Sequence, residues 1–289
     1  MKLPGMISLL FLLTVLPSVC PAFEVAVYPD TPKGGEGFLL TVKDNSNRTF
    51  NVIYKNKAYP LYNTQKGIWQ LLLPVEIEDS GPVEITVRKK LLFITLEEIK
   101  VPIIVRNRKI NTVSMGRAYE KIRDAELSDS SQPQTDGQQE AVLRAIDSKT
   151  RTRLFQNSFI IPVKSKSAPN FAQKRVGGDY CYFHKGIDLG AKRGTNIRAS
   201  NDGIVVLSEN NFTTYGNLLI IDHGQGVVSC YFHLQKLFKK KDDVVKRNEI
   251  IAKVGNTGLS TAPHLHFGIY LQGTAVDPCW FTSFSTNLP

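Results

Sequence analysis

From residue 23 onward the chain is written in short runs of β-branched and aromatic residues, each closed by turn formers, and this punctuation constrains the fold more than any other feature. Phe38-Leu39-Leu40-Thr41-Val42, Phe50-Asn51-Val52-Ile53-Tyr54 and Val83-Glu84-Ile85-Thr86-Val87 read as strands, because such side chains suit a pleated, half-buried surface. Pro32 with Gly34 and Gly35, Asn45-Ser46-Asn47, and Gly81-Pro82 supply the breaks. The spacing predicts a small β-sandwich of immunoglobulin-like size over residues 23–106. Strands return after Phe159: Ile204-Val205-Val206-Leu207, Leu218-Leu219-Ile220-Ile221, Val227-Val228-Ser229-Cys230-Tyr231, Ile250-Ile251-Ala252 and the stretch 264–270. With turns at Tyr215-Gly216-Asn217 and Gly255-Asn256-Thr257-Gly258, residues 157–289 read as a largely antiparallel β unit. Residues 107–156 differ: Ala118-Tyr119-Glu120-Lys121-Ile122-Arg123 and Ala141-Val142-Leu143-Arg144-Ala145-Ile146 look helical. The Ser-, Gln- and Asp-rich stretch 128–140 reads as a loop, giving a helical, flexible connector inside a mainly β chain.

The 289 residues suffice for two domains. Residues 1–22 read as a secretory signal peptide: a basic start at Lys2, an apolar run from Met6 to Val19, and small residues near the end. That run falls short of the ~20 residues a spanning helix needs, and no second run reaches it. The residues before Cys20 lack the small residue of a lipidation site. The expectation is export to the periplasm, the cell envelope or the medium, with no stable membrane insertion after cleavage. Export permits disulfides, and Cys181, Cys230 and Cys279 leave two arrangements open: one pair with a free thiol, or three free thiols. Their wide spacing does not resemble a zinc-binding cluster.

Lys and Arg total 36 against 26 Asp and Glu, a net charge of +10 that favours anionic partners. The excess is diffuse, and Lys239-Lys240-Lys241 has no interleaved aromatic residues, so no nucleic-acid partner is expected. Such charge suits an anionic cell-wall polymer.

The five histidines stand at 184, 223, 233, 264 and 266, all inside the C-terminal unit. His184-Lys185-Gly186-Ile187-Asp188 offers a nitrogen and an oxygen ligand four residues apart. His264-Leu265-His266 lies in a β-like run, where alternate residues share a face, so two imidazoles look into one site while Leu265 turns to the opposite layer. A catalytic zinc keeps three protein ligands and an open position, and two histidines with one aspartate satisfy that count. Two or three histidines then remain for proton work. Either motif alone occurs often by chance; their co-occurrence is the informative feature.

These residues resemble those of a known family. His184-Lys185-Gly186-Ile187-Asp188-Leu189-Gly190, Gly194-Thr195, Asp202-Gly203-Ile204-Val205, Ile221-Asp222-His223-Gly224, Tyr231-Phe232-His233-Leu234, Val254-Gly255-Asn256-Thr257-Gly258 and Pro263-His264-Leu265-His266-Phe267, followed by Val276-Asp277-Pro278, are similar in order and spacing to the lysostaphin/LytM-type (M23) zinc metallopeptidases. The resemblance spans roughly residues 160–280 and implies one zinc ion per chain, held by His184, Asp188 and His266. It implies that His233 and His264 assist catalysis, one as general base and the other on the oxyanion, in either order. The implied activity is hydrolysis of peptide cross-links in peptidoglycan, so the implied partner is its peptide stems. His223 stays open as a structural or a rim residue. Two departures stand out: Ala262 precedes Pro263 where the family often has Gly, and the segment Phe171-Ala172-Gln173-Lys174-Arg175-Val176-Gly177-Gly178 matches the groove-lining FGxR element only loosely. The alternatives are a non-catalytic, wall-binding relative that regulates other hydrolases, and a cytoplasmic carrier or phosphotransferase module of related β architecture. The predicted signal peptide and Asp188 argue against the second.

Overall fold

The computed structural model describes residues 23–46, 48–116, 120, 135–148, 150–178 and 180–288. The N-terminal sheets come from β1 (Glu24–Tyr28), β2 (Gly37–Lys43), β3 (Thr49–Tyr54), β4 (Lys57–Pro60), β5 (Tyr62–Gln65), β6 (Ile68–Pro74), β7 (Gly81–Leu91) and β8 (Ile94–Val105). They form two four-stranded antiparallel sheets, ordered β1-β2-β6-β5 and β4-β3-β7-β8. Alternation builds the core between them: Phe38, Leu40 and Val42 of β2 meet Phe50, Val52 and Tyr54 of β3 and Ile85 and Val87 of β7 in one buried cluster. In β6, Leu71 and Leu73 belong to that cluster, whereas Leu72 points the other way into the core of the C-terminal unit. The unbroken apolar run of β6 is therefore a strand buried on both faces.

The C-terminal strands are β9 (Thr112–Ser114), β10 (Lys174–Gly177), β11 (Tyr180–Phe183), β12 (Ile187–Gly190), β13 (Asn196–Arg198), β14 (Gly203–Phe212), β15 (Gly216–Asp222), β16 (Val227–Leu237), β17 (Val244–Val245), β18 (Ile250–Val254), β19 (His264–Leu271) and β20 (Thr274–Val276). The main sheet runs β12-β19-β16-β15-β14-β17, with β18 joining β13 to β16 and β20 on β19. Helix α1 (Thr135–Ile146) packs Val142, Ala145 and Ile146 into its core, and α2 (Pro278–Phe284) is capped by Asp277, whose side chain accepts from the Cys279 and Trp280 amides. The two units touch through the Asp277 N–H donating to Gly35 O (2.7 Å), Arg108 Nη2 against Asp277 Oδ2 (3.2 Å) and Tyr28 stacked on Phe284 (6.0 Å). Among the described residues no helix is long and apolar enough to cross a membrane.

The strands expected from the sequence form where expected; the connector departs from its reading. The helix begins at Thr135, inside the stretch read as a loop, because Gln138 is buried and its Oε1 accepts from the Thr213 amide (2.8 Å). That anchor lies far off in sequence and has no local signature. Thr112–Ser114, in a segment read as helical or flexible, is a strand that pairs in parallel with β10. The helix expected over 118–123 and the signal peptide lie outside the described residues, Glu120 excepted. The three described cysteines are free thiols, Cys181 exposed and Cys230 buried.

Candidate metal centre

The two histidine motifs meet because their strands are antiparallel neighbours. In the β12–β19 ladder Asp188 sits opposite His266 and Gly190 opposite His264, so one register brings both motifs to the same face. Leu265, between the two histidines, is fully buried in the opposite layer. His184 enters from the turn before β12. Its Nε2 lies 2.9 Å from His266 Nδ1 and 3.0 Å from Asp188 Oδ1, and His266 Nδ1 lies 3.1 Å from Asp188 Oδ1. Gly186 makes room: a Cβ there would stand 2.6 Å from His266 Nε2 and 2.6 Å from Phe267 O.

Asn170 organises this cluster. Its backbone carbonyl accepts from His184 Nδ1 (3.0 Å), which leaves Nε2 with a lone pair directed at the cluster. Its side-chain Oδ1 accepts from the Asp188 amide (2.9 Å), and its Nδ2 donates to Asp188 Oδ2 (3.0 Å). Arg175 Nη2 takes the same Oδ2 at 2.6 Å, leaving Oδ1 for the imidazoles. Burial works against ionisation of Asp188, but the adjoining His184 and His266 rings outweigh it and hold the carboxyl well below the usual carboxylate range. Burial likewise depresses His266 to about 4, despite the bond to Asp188.

Neutral His184 and His266 with an ionised Asp188 are the donor set that zinc takes. Zinc–nitrogen bonds of ~2.0–2.1 Å at tetrahedral angles separate ligand atoms by ~3.3 Å, a few tenths more than the 2.9–3.1 Å spacings here. The fit requires only a small expansion. These three are also the group of described His, Cys, Asp and Glu residues whose ligand atoms lie close enough together to share an ion.

His233 and His264 stand beside the cluster, their ring centroids 4.8 Å apart and that of His233 6.2 Å from that of His266. His233 is on β16, where Phe232 pairs with His266 and stacks on its ring (5.3 Å, 3°). Strict alternation would send His233 to the far face. Instead β16 carries one extra residue against β15 between Tyr231 and Leu234, and His233 adopts φ +63, which turns its ring back to the site. Its Nδ1 donates to Thr257 O (2.8 Å), so Nε2 is the acceptor; burial, then the neighbouring charges of His264 and His266, depress it to about 3. His264 Nδ1 donates to Ala262 O (2.8 Å), again leaving Nε2 as acceptor, 3.6 Å from Asp188 Oδ1. The Ala262 position contributes a carbonyl, which any residue supplies. His223 is elsewhere: fully buried, it donates from Nδ1 to Asp202 O (2.6 Å), contacts Ser229 Oγ through Nε2 (2.7 Å) and packs edge-on against Phe159. It is a core residue. Asn170 is not among the residues the sequence points to, and Arg175 enters that reading only as part of the groove-lining segment 171–178, with no role towards Asp188.

Residues 182–278, which include Asp188 and all five histidines, match the model of Peptidase family M23. The chain is 41% identical over 96 residues to the DD-carboxypeptidase/endopeptidase Mpg of Neisseria meningitidis serogroup B, covering 33% of this chain and 22% of that protein. It is 36% identical over 117 residues to the murein hydrolase activator NlpD of Salmonella dublin, covering 40% of this chain and 29% of that protein. It thus spans less than a third of either relative. A crystal structure of a Pseudomonas aeruginosa protein assigned to peptidase M23 superposes with a TM-score of 0.57 at 20% identity, over 89% of this chain and 96% of that one. That likeness extends the shared fold beyond residues 182–278 to the N-terminal sheets.

Proposed function

Because the chain belongs to peptidase family M23, we propose that it is a zinc-dependent endopeptidase acting on peptide cross-links of peptidoglycan. His184, Asp188 and His266 would hold one zinc ion, and His233 and His264 would handle protons. The observation that carries this reading is the convergence of His184 Nε2, Asp188 Oδ1 and His266 Nδ1 within about 3 Å of one another, with the His184 tautomer tied by a backbone carbonyl.

Zinc, when bound, supplies Lewis acidity towards a carbonyl and acidifies water. The residues supply the rest. Arg175 and Asn170 hold Asp188 Oδ2, so the carboxylate presents one oxygen in a fixed direction. With Nδ1–H committed to backbone carbonyls, His233 and His264 each keep Nε2 free to accept a proton and afterwards return it to the leaving amine. Residues 1–22 would direct export, 23–106 form an accessory domain, and 107–156 connect it to the peptidase domain.

A second reading, a non-catalytic regulator of other wall hydrolases, draws on the likeness to a relative named as a hydrolase activator. Comparison of His233→Ala with His184→Ala separates the two. The enzyme reading expects His233→Ala to retain stoichiometric zinc while peptidoglycan cleavage falls about 10²–10⁴-fold, and His184→Ala to lose both. A parent chain that binds zinc yet releases no peptide ends would favour the regulator.

A further inference from the structure

The end of the sandwich opposite the Tyr28–Phe284 contact carries an apolar tip. β7 and β8 are joined by Leu92 and Phe93, 81% and 96% exposed, next to Ile94 at 65% and Leu91 at 39%. Four consecutive exposed apolar residues are a liability in a folded protein unless something uses them. The backbone adds to the anomaly: Leu92 sits at φ +53, a conformation that favours Gly or Asn. Leu-Phe stands here against both solvent and backbone preference.

What surrounds the tip indicates its occupant. Lys90 pairs with Thr49 and Glu24 with Lys43, so the described chain enters the sandwich at this same end. Phe23 lies 5.3 Å from Phe50, and Lys89 Nζ stands over the Phe23 ring. The carboxylates near the tip have basic partners, Glu24 with Lys43, Asp44 and Glu97 both with Lys89, and Glu98 with Arg88, whereas Arg48, Lys66 and Lys90 make no ion pair among the described residues. Lys66 belongs to this end because Gly67 O accepts from the Asp44 amide (2.9 Å). A convex apolar apex above unpaired cations complements a surface with an apolar interior and anionic headgroups.

We propose that the β7–β8 tip is a lipid-surface finger: Leu92 and Phe93 insert among the acyl chains of an anionic bilayer, while Arg48, Lys66 and Lys90 meet headgroup phosphates. The opposite end of the sandwich holds the C-terminal unit through Tyr28–Phe284 and Asp277–Gly35. The 11 residues of β7, at ~3.3 Å each, make the strand behind the tip roughly 35 Å long.

The test places an indole at the apex, Phe93→Trp in the full chain, a substitution on a side chain without packing to lose. Emission is recorded with vesicles of phosphatidylethanolamine and phosphatidylglycerol, with and without brominated acyl chains. The signal of the unsubstituted chain, from Trp69 and Trp280, is subtracted. The proposal expects a blue shift quenched by the bromines. It also expects Arg48→Gln, Lys66→Gln and Lys90→Gln together to raise the lipid concentration at half-maximal shift about a hundredfold. Unchanged emission from the indole at the apex while the chain sediments with vesicles overturns it. So does a blue shift without lipid that grows with protein concentration, which would assign the tip to a second copy of the chain.

Discussion

Gly186→Ala tests the metal centre without touching a ligand. The added Cβ would lie 2.6 Å from His266 Nε2, 2.6 Å from Phe267 O and 2.8 Å from His266 Cε1. Carbon contacts settle at ~3.5 Å or more, so the neighbours must retreat by about 0.9 Å. Phe267 cannot supply that movement, since it is fully buried and paired with both Ile187 and Tyr231. The His266 ring, stacked on Phe232, must yield, or β12 must part from β19. Ligand distances in metal sites tolerate only ~0.2 Å, so a shift of this size would take His266 out of the proposed zinc-binding set. The expected outcome is a stability loss of about 1–3 kcal/mol from overpacking and zinc affinity weakened by at least ~100-fold, the upper end of what loss of a supporting contact costs. Competition with a chromophoric chelator reads the affinity and urea unfolding reads the stability, with the exposed Lys185→Ala as control. Zinc affinity within about twofold of the parent would refute the reasoning, because the placement of His266 Nδ1 would then not depend on the room Gly186 leaves beside Nε2.

Two further outcomes follow from the same geometry. Asn170→Ala frees the Asp188 amide and one bond to Oδ2 while the backbone carbonyl at 170 still serves His184; zinc affinity should fall ~10–100-fold, measured by the same competition, and unchanged affinity would show that Arg175 alone orients the carboxylate. His223, held at about 4 by burial against an unfolded value of ~6.5, is neutral when folded. The unfolded chain binds the extra proton, so this contribution is complete above pH ~6.5 and lost as pH falls towards 4, about 3 kcal/mol in all. Urea midpoints at pH 7 and pH 4.5 should therefore differ less in His223→Gln than in the parent, and an identical difference would contradict the assignment.

The parts of the site that were legible in the sequence are those governed by a strand's two-residue period. His264 and His266 share a face by that rule, and Asp188 follows through pairing with His266. His233 was legible only as part of a motif: period alone places it on the wrong face, and the extra residue in β16 with its positive φ has no local signal. His223 could not be sorted by spacing, since its role depends on Asp202, Ser229 and Phe159 closing around it. Asn170 acts through a backbone carbonyl as much as through its side chain, a function no residue type advertises. In the N-terminal sheets the alternation of β2 and β3 was readable, while Leu72 in the middle of an apolar run gave no sign that it packs into another unit. Thr112–Ser114 is too short to carry periodicity and owes its strand to β10.

The measurement closest to the central claim is digestion of purified, cross-linked peptidoglycan by the full chain, with metal content assayed on the same preparation and the products identified by mass. The account predicts one zinc per chain and release of uncrosslinked stem peptides, with release stopped by a chelator, restored by added zinc, and absent in His233→Ala despite retained metal. A preparation with stoichiometric zinc that leaves every cross-link intact, or one that cleaves equally well with the chelator present, would contradict it.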